Sequence, residues 1–257
     1  MPHRITTAER KRRDYLRRRG LATGAIYEKR LIAARRKELR RVLDLARDHD
    51  DPAMVAPTVS KWLKEPYLLK WWEGLYTAAG VPMARSTARD LSQAKAAAED
   101  GIWLATLKRY AATRAGENIV LVTGTWKDTL LEILAGTLLD EPTIGVEALT
   151  TQLFRRYTGD FERWMCRRIA QTETMISMAE AADAAAKTLD IEYTKQWAIS
   201  GLGNTRESHE IMDGVEVDQD EPFQLVDCQM MYPHDCSLGA PAGEIINCAC
   251  DCIRRPK

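Results

Sequence analysis

The pattern of apolar residues changes once, at Ile191, and that change limits the fold more than any other feature of the chain. Before it, apolar residues recur at helical spacing. From it onward, Ile191, Tyr193 and Trp197 punctuate polar neighbours in the alternation of a half-buried strand. The expected class is therefore α+β: a mainly α-helical N-terminal part and a small C-terminal α+β domain from about residue 190. At 257 residues the chain exceeds the ~100–200 typical of one domain, so one large or two modest domains are expected.

The helical part divides at punctuation. Thr7 to Arg47 reads as helix, with a break expected at Gly20 and Gly24 and a stop before Pro52. Its apolar stripe, Leu31, Leu39, Val42, Leu43, Leu45 and Ala46 with Arg35 among them, is narrow and leaves the other arginines outward. Val59 to Ala79 is apolar nearly all round, with Trp62, Trp71 and Trp72, and so reads as buried. Gly80-Val81-Pro82 predicts a second break. Further helices are expected from Ser92 to Arg114 and from Thr125 to Ala135, with Glu117 to Val122 either a short strand or the lead into the latter. Thr143 or Gly145 would cap the next helix, and Thr158 or Asp160 a long one reaching Thr188. Past the strand, Asn204 and Glu207 stand at capping-box spacing, and Asp213-Gly214 turns into Val215-Glu216-Val217.

The segment from Arg168 to Cys252 carries a fixed series of signals. A helical Arg168-Ile169-Ala170-Gln171-Thr172-Glu173-Thr174 precedes the strand ending at Trp197. Thr205-Arg206-Glu207-Ser208-His209, Met212-Asp213-Gly214, Glu221-Pro222-Phe223, Tyr232-Pro233 and Ile246-Asn247-Cys248-Ala249-Cys250 follow in that order. Each piece alone is unspecific; their order and spacing together are not. The series resembles the Mu F-like minor head proteins of tailed phages, the phage head morphogenesis family, over roughly Ile119 to Cys250. Gln171, Ala179 and Leu202 depart from that family's pattern. With the family domain placed over 116–257 by this resemblance, residues 1–115 form a helical region with a basic arm. The resemblance implies a minor capsid protein of the virion, made in the host cytoplasm and held inside the head near the portal. Its work would be head assembly, DNA packaging or genome ejection, and its partners the portal protein, double-stranded DNA and the major capsid or scaffold protein.

Charge balances to zero overall but is polarised. Met1 to Asp50 carries 16 Lys/Arg against 7 Asp/Glu, 16 − 7 = +9, whereas Thr205 to Asp235 holds nine acids against Arg206 alone. Arg10, Lys11, Arg12, Arg13, Arg17, Arg18 and Arg19 are spread around a helix, which suits sequence-independent contact with a DNA backbone. A solvated helix or a portal-binding arm would carry the same charge. No apolar run approaches the ~18–20 residues of a membrane span, and the N-terminus lacks the apolar stretch of a secretion signal, so no membrane partner is expected.

Two groups invite chemistry. Arg168, Thr172, Glu173, Arg206 and His209 could share a proton across two helices, but they read better as a structural polar cluster in which Thr172 and Glu173 meet Arg206 and His209. With no phosphate loop and no nucleophile elbow, no catalytic residue is expected. Five of the six cysteines fall between Cys228 and Cys252. In an extended segment Cys248, Cys250 and Cys252 would share a face. Cys228, Cys236, Cys248 and Cys250 could then hold a structural zinc, with Cys252 or His234 as substitutes; free thiols or disulfides are the alternatives. Two readings from other classes stay open: an ADP-ribosyltransferase-like effector using Arg168 and a glutamate, and a zinc-stabilised DNA-binding module.

Overall fold

A computed structural model describes residues 5–63, 67–92, 100–189, 191–200 and 205–257; the side chains of 92, 100, 114–121, 160 and 161 are outside the description. The expected Asn204 cap and Leu202 thus lie outside the described residues. Helices α1 (Thr7–Arg47), α2 (Val55–Trp62), α3 (Leu68–Ser92), α4 (Asp100–Asp140), α5 (Val146–Tyr157) and α6 (Asp160–Lys187) come first. The C-terminal part follows as β1 (Tyr193–Ala198), α7 (Glu207–Glu210), β2 (Glu216–Asp218), β3 (Phe223–Gln224), β4 (Gln229–Met230), α8 (Ala242–Ile245) and β5 (Asp251–Pro256). The α+β class is as expected.

Two compact units interleave along the chain. The first takes Met1–Ile26, Glu73–Tyr110 and Arg168–Lys257; the second takes Tyr27–Trp72 and Ala111–Arg167. A boundary between 115 and 116 does not exist as a break, because α4 runs through it, and Glu117 to Val122 is helix, not strand. α1, α3, α4 and α6 each give residues to both units, so a linear division could not have found them.

In the second unit the stripe of α1 is buried as predicted, apart from Leu45. The Arg35 guanidinium, wholly buried, lies 4.4 Å from the centre of the Trp126 ring, and Trp126 in turn meets Tyr157 at 5.5 Å. This is cation–π stacking removed from water, where it is strongest. Trp71 and Trp72 are both buried, as expected: they pack edge to face at 5.1 Å, and the Trp71 indole donates to the Tyr27 carbonyl at 2.8 Å.

In the first unit both expected breaks are absent. α1 is unbroken at Gly20 and Gly24, and α3 continues through Pro82. The glycines are there for close approach. A Cβ on Gly20 would strike Met178 Sδ, one on Gly24 would sit 2.8 Å from Thr174 Oγ1, and one on Gly80 would lie 3.1 Å from the Ser177 carbonyl oxygen. All three positions therefore face α6. An interior proline costs a helix ~3 kcal/mol, which burial of Ala79, Met83, Ala84 and Ala88 against Met175, Met178, Ala181 and Ala185 offsets. The start of α1 carries a capping box: the Thr6 amide donates to Glu9 Oε2 at 2.8 Å, and the Glu9 amide to Thr6 Oγ1 at 3.2 Å.

The sheet that positions the site has the order β2-β1-β5, all antiparallel. Trp197 of β1 stands opposite Cys252 of β5. Gly214, at φ +83°, makes the turn whose N–H donates to the Trp197 carbonyl at 2.9 Å, as the Asp-Gly pair predicts.

Candidate metal centre

Trp197 is the floor of the site. Fully buried, it packs edge to face on His209 at 5.2 Å and on Phe223 at 5.3 Å. α7 is a single turn, and its function is to deliver His209, which is 1% exposed. The ring's Nδ1 lies 3.5 Å from Cys248 Sγ and 3.4 Å from Cys250 Sγ. All three ligand atoms lie within 4.8 Å of one another and are buried. His209, Cys248 and Cys250 could hold a metal ion.

The spacing suits one. With metal–sulfur bonds of ~2.3 Å and metal–nitrogen bonds of ~2.0–2.1 Å, a tetrahedral ion sets its N···S edges at about 3.5 Å. The other ring nitrogen, Nε2, is 2.8 Å from Glu244 Oε2, close in distance though without the alignment of a full hydrogen bond. Ser208 Oγ also donates to that carboxylate oxygen, at 3.0 Å. A carboxylate behind the far nitrogen is the usual support of a metal-binding histidine, since it fixes the tautomer that leaves the near nitrogen's lone pair for the metal.

The thiols are unequal. The hydrogen bond from Cys250 pulls the Cys248 pKa down against burial, helped by the Cys250 N–H at 3.4 Å and the Arg206 charge. The same bond, with burial, pushes Cys250 up.

The loop carrying both cysteines is anchored from several elements. Asn247 adopts a left-handed φ of +58°, which asparagine tolerates, and its N–H donates to Thr172 Oγ1 at 3.2 Å. Arg206 Nη2 donates to the Ile246 carbonyl at 2.5 Å. His234 Nε2 lies 3.1 Å from the Cys250 carbonyl oxygen, so it touches the ligand loop's backbone.

The expected quartet is therefore corrected. Cys248 and Cys250 are in the site; Cys228 and Cys236 are outside the group found among the described residues, and His209 takes the place of one of them. Cys252 is outside it too. β5 begins only at Asp251, so Cys248 and Cys250 precede the strand in which Cys252 lies. The residues of the expected polar cluster make these contacts. Thr172 and Arg206 hold consecutive residues of the 246–247 turn, His209 joins the thiols, and buried Glu173 accepts from the Tyr76 hydroxyl at 2.8 Å. Arg168 is half-buried one helical turn before Thr172. A histidine 39 residues before Cys248 offers no ligand spacing to read; the only signal was its fixed place three residues after Arg206.

The basic segment is also partly consumed. Arg13 pairs with Asp251 at 2.8 Å and donates to the Cys252 carbonyl at 3.0 Å; Arg17 pairs with Asp14 and donates to the Ser200 carbonyl at 2.9 Å. Both are 8% exposed. Arg12 pairs with Asp90. Arg10, Lys11, Arg18 and Arg19 are exposed. Helical charge spacing is blind to which positions meet a neighbouring element, and that is why all seven looked alike.

No helix among the described residues is long and apolar enough to cross a membrane. Neither a family model, nor a curated protein, nor a solved structure matches the chain.

Proposed function

We propose that this chain is a minor head protein of a tailed phage, held inside the head near the portal and acting in head assembly, DNA packaging or genome ejection. One observation carries the reading. The scattered residues that resemble the Mu F-like family meet in one place: Trp197 against His209 and Phe223, Thr172 and Arg206 on the 246–247 turn, and His209 on Cys248 and Cys250. Residues linked in this way constrain one another, so a series that is weak piece by piece becomes a single structural requirement. The role is structural and not catalytic: Glu173 is buried and hydrogen-bonded to Tyr76, as a packing residue would be. In this reading the metal is zinc, held by His209, Cys248 and Cys250, and it stiffens the C-terminal part instead of performing a reaction. The partners are the portal, packaged double-stranded DNA and the capsid or scaffold shell.

Purification of DNA-free proheads tests this. The protein should remain with the portal when the shell is dissociated. Its absence from proheads, together with normal particle yield after deletion of its gene, would contradict the reading.

A further inference from the structure

Two helix faces in the first unit form a groove whose chemistry the metal centre does not use. Arg12, Tyr15, Leu16 and Arg19 of α1 line one side, and Pro82, Arg85, Ser86 and Arg89 of α3 the other, around a cavity of about 360 Å³. The spacing is the same on both sides, i, i+3, i+4, i+7, which is one face of each helix. Leu16 and Pro82 are half-buried and Ser86 is buried, so the floor is sealed, while Tyr15 stands 63% exposed. Arg12, Arg19, Arg85 and Arg89 line the groove, and Arg12 pairs with Asp90. Arg12 also donates to Ser86 Oγ at 2.9 Å, so its guanidinium is fixed across the groove before any ligand arrives.

We propose that this groove binds the phosphodiester backbone of DNA. Guanidinium forks match phosphate oxygens, and arginines on both walls can contact successive phosphates without reading bases. The Tyr15 hydroxyl supplies a further neutral donor at the mouth. That the natural ligand is duplex DNA rests on the head-protein reading; the phosphate chemistry does not. The surface differs from a uniformly basic helix. It recruits Arg85 and Arg89 from α3 and leaves out Arg13 and Arg17, which are buried against Asp251 and Ser200.

Deleting the N-terminal segment would not test this, because Arg13, Leu16 and Arg17 are part of the packed unit. Charge reversal in the full chain does. Binding to a short labelled DNA duplex is measured by anisotropy as salt is varied, for Arg19→Glu/Arg85→Glu against Arg10→Glu/Lys11→Glu. The two doubles change net charge equally. The groove variant should bind ~10-fold or more weakly at low salt, and its log–log salt dependence should flatten by about 0.9 for each phosphate it no longer neutralises. The control should change little. Should the groove double fail to fold, Arg19→Glu alone, at an exposed position, carries the comparison. Equal weakening in both doubles would overturn the groove, as would wild-type protein that does not bind DNA. Protein that stays with the portal yet ignores DNA would sink this proposal and leave the head-protein reading standing; DNA binding without portal association would do the reverse.

Discussion

The two units are stabilised differently. The second is held by large apolar and aromatic side chains: Leu31, Leu39, Leu43, Trp72, Trp126, Leu130, Leu149, Leu153 and Tyr157 are all essentially buried. The part of the first unit that follows Ile191 also buries Trp197, Phe223 and Met230, and adds specific polar contacts around Trp197: Arg206 to a carbonyl, Asn247 to Thr172, His209 to two sulfurs. Apolar burial is non-directional and tolerates small shifts. A network of directional contacts does not, and small segments are commonly cross-linked by metal or disulfide. The difference teaches where a metal would matter. It should be decisive for the C-terminal part and irrelevant to the second unit.

Substitutions can break this contrast at graded strengths. The largest effect is expected at Trp126, where an Ala replacement removes a buried indole, its stacking with Arg35 and its packing on Tyr157. Chemical denaturation should show a loss of ~3–5 kcal/mol, the same with or without a chelator. Next is Arg206→Ala, which strips a charged donor from the Ile246 carbonyl. It should cost ~1.5–3 kcal/mol and, unlike the tryptophan variant, weaken metal retention during dialysis. Gly80→Ala places a methyl group against the Ser177 carbonyl, which is backbone and cannot swing away. Overpacking of ~1–3 kcal/mol should outweigh the gain of up to ~1 kcal/mol in helix propensity, giving a lower Tm.

The smallest effect concerns the capping box. Thr6→Ala should cost ~1 kcal/mol or less. Burial tends to raise the Glu9 carboxyl, but the Thr6 amide and hydroxyl and the Arg255 charge hold it below its usual range. With the folded pKa depressed, the stabilisation is present above the unfolded value of about 4.3 and fades as pH falls through the lower folded value. The gap between wild type and Thr6→Ala should therefore narrow in acid. A gap that widens there would mean that the charge on Glu9 opposes the cap.

The parts legible in the sequence are those with long regular repeats or local rules. The stripe of α1, the Gly145 cap of α5, the strand ending near Trp197 and the Asp213-Gly214 turn all follow from period or turn chemistry. Gly20, Gly24 and Pro82 were misleading for a physical reason: local propensity favours a break, but burial against α6 outweighs it. Two of the three members of the metal group were legible, because Cys248 and Cys250 are close in sequence. His209 was not, since a contact spanning 39 residues is set by the β1 scaffold and leaves no spacing in the chain. Lys195 is a similar case. Its charge suggests solvent, yet by strand alternation it shares the face of Tyr193 and Trp197; it is 1% exposed and donates to the Met231 carbonyl at 3.0 Å, a partner supplied by the fold of the 223–236 segment.

Elemental analysis of protein purified without chelator decides whether a zinc ion joins His209 to Cys248 and Cys250. Wild type should carry about one zinc per chain. His209→Ala and Cys248→Ser should each lose it and melt at lower temperature, while Cys236→Ser should keep it. Wild-type protein free of metal, or a full zinc complement in His209→Ala, would contradict the account.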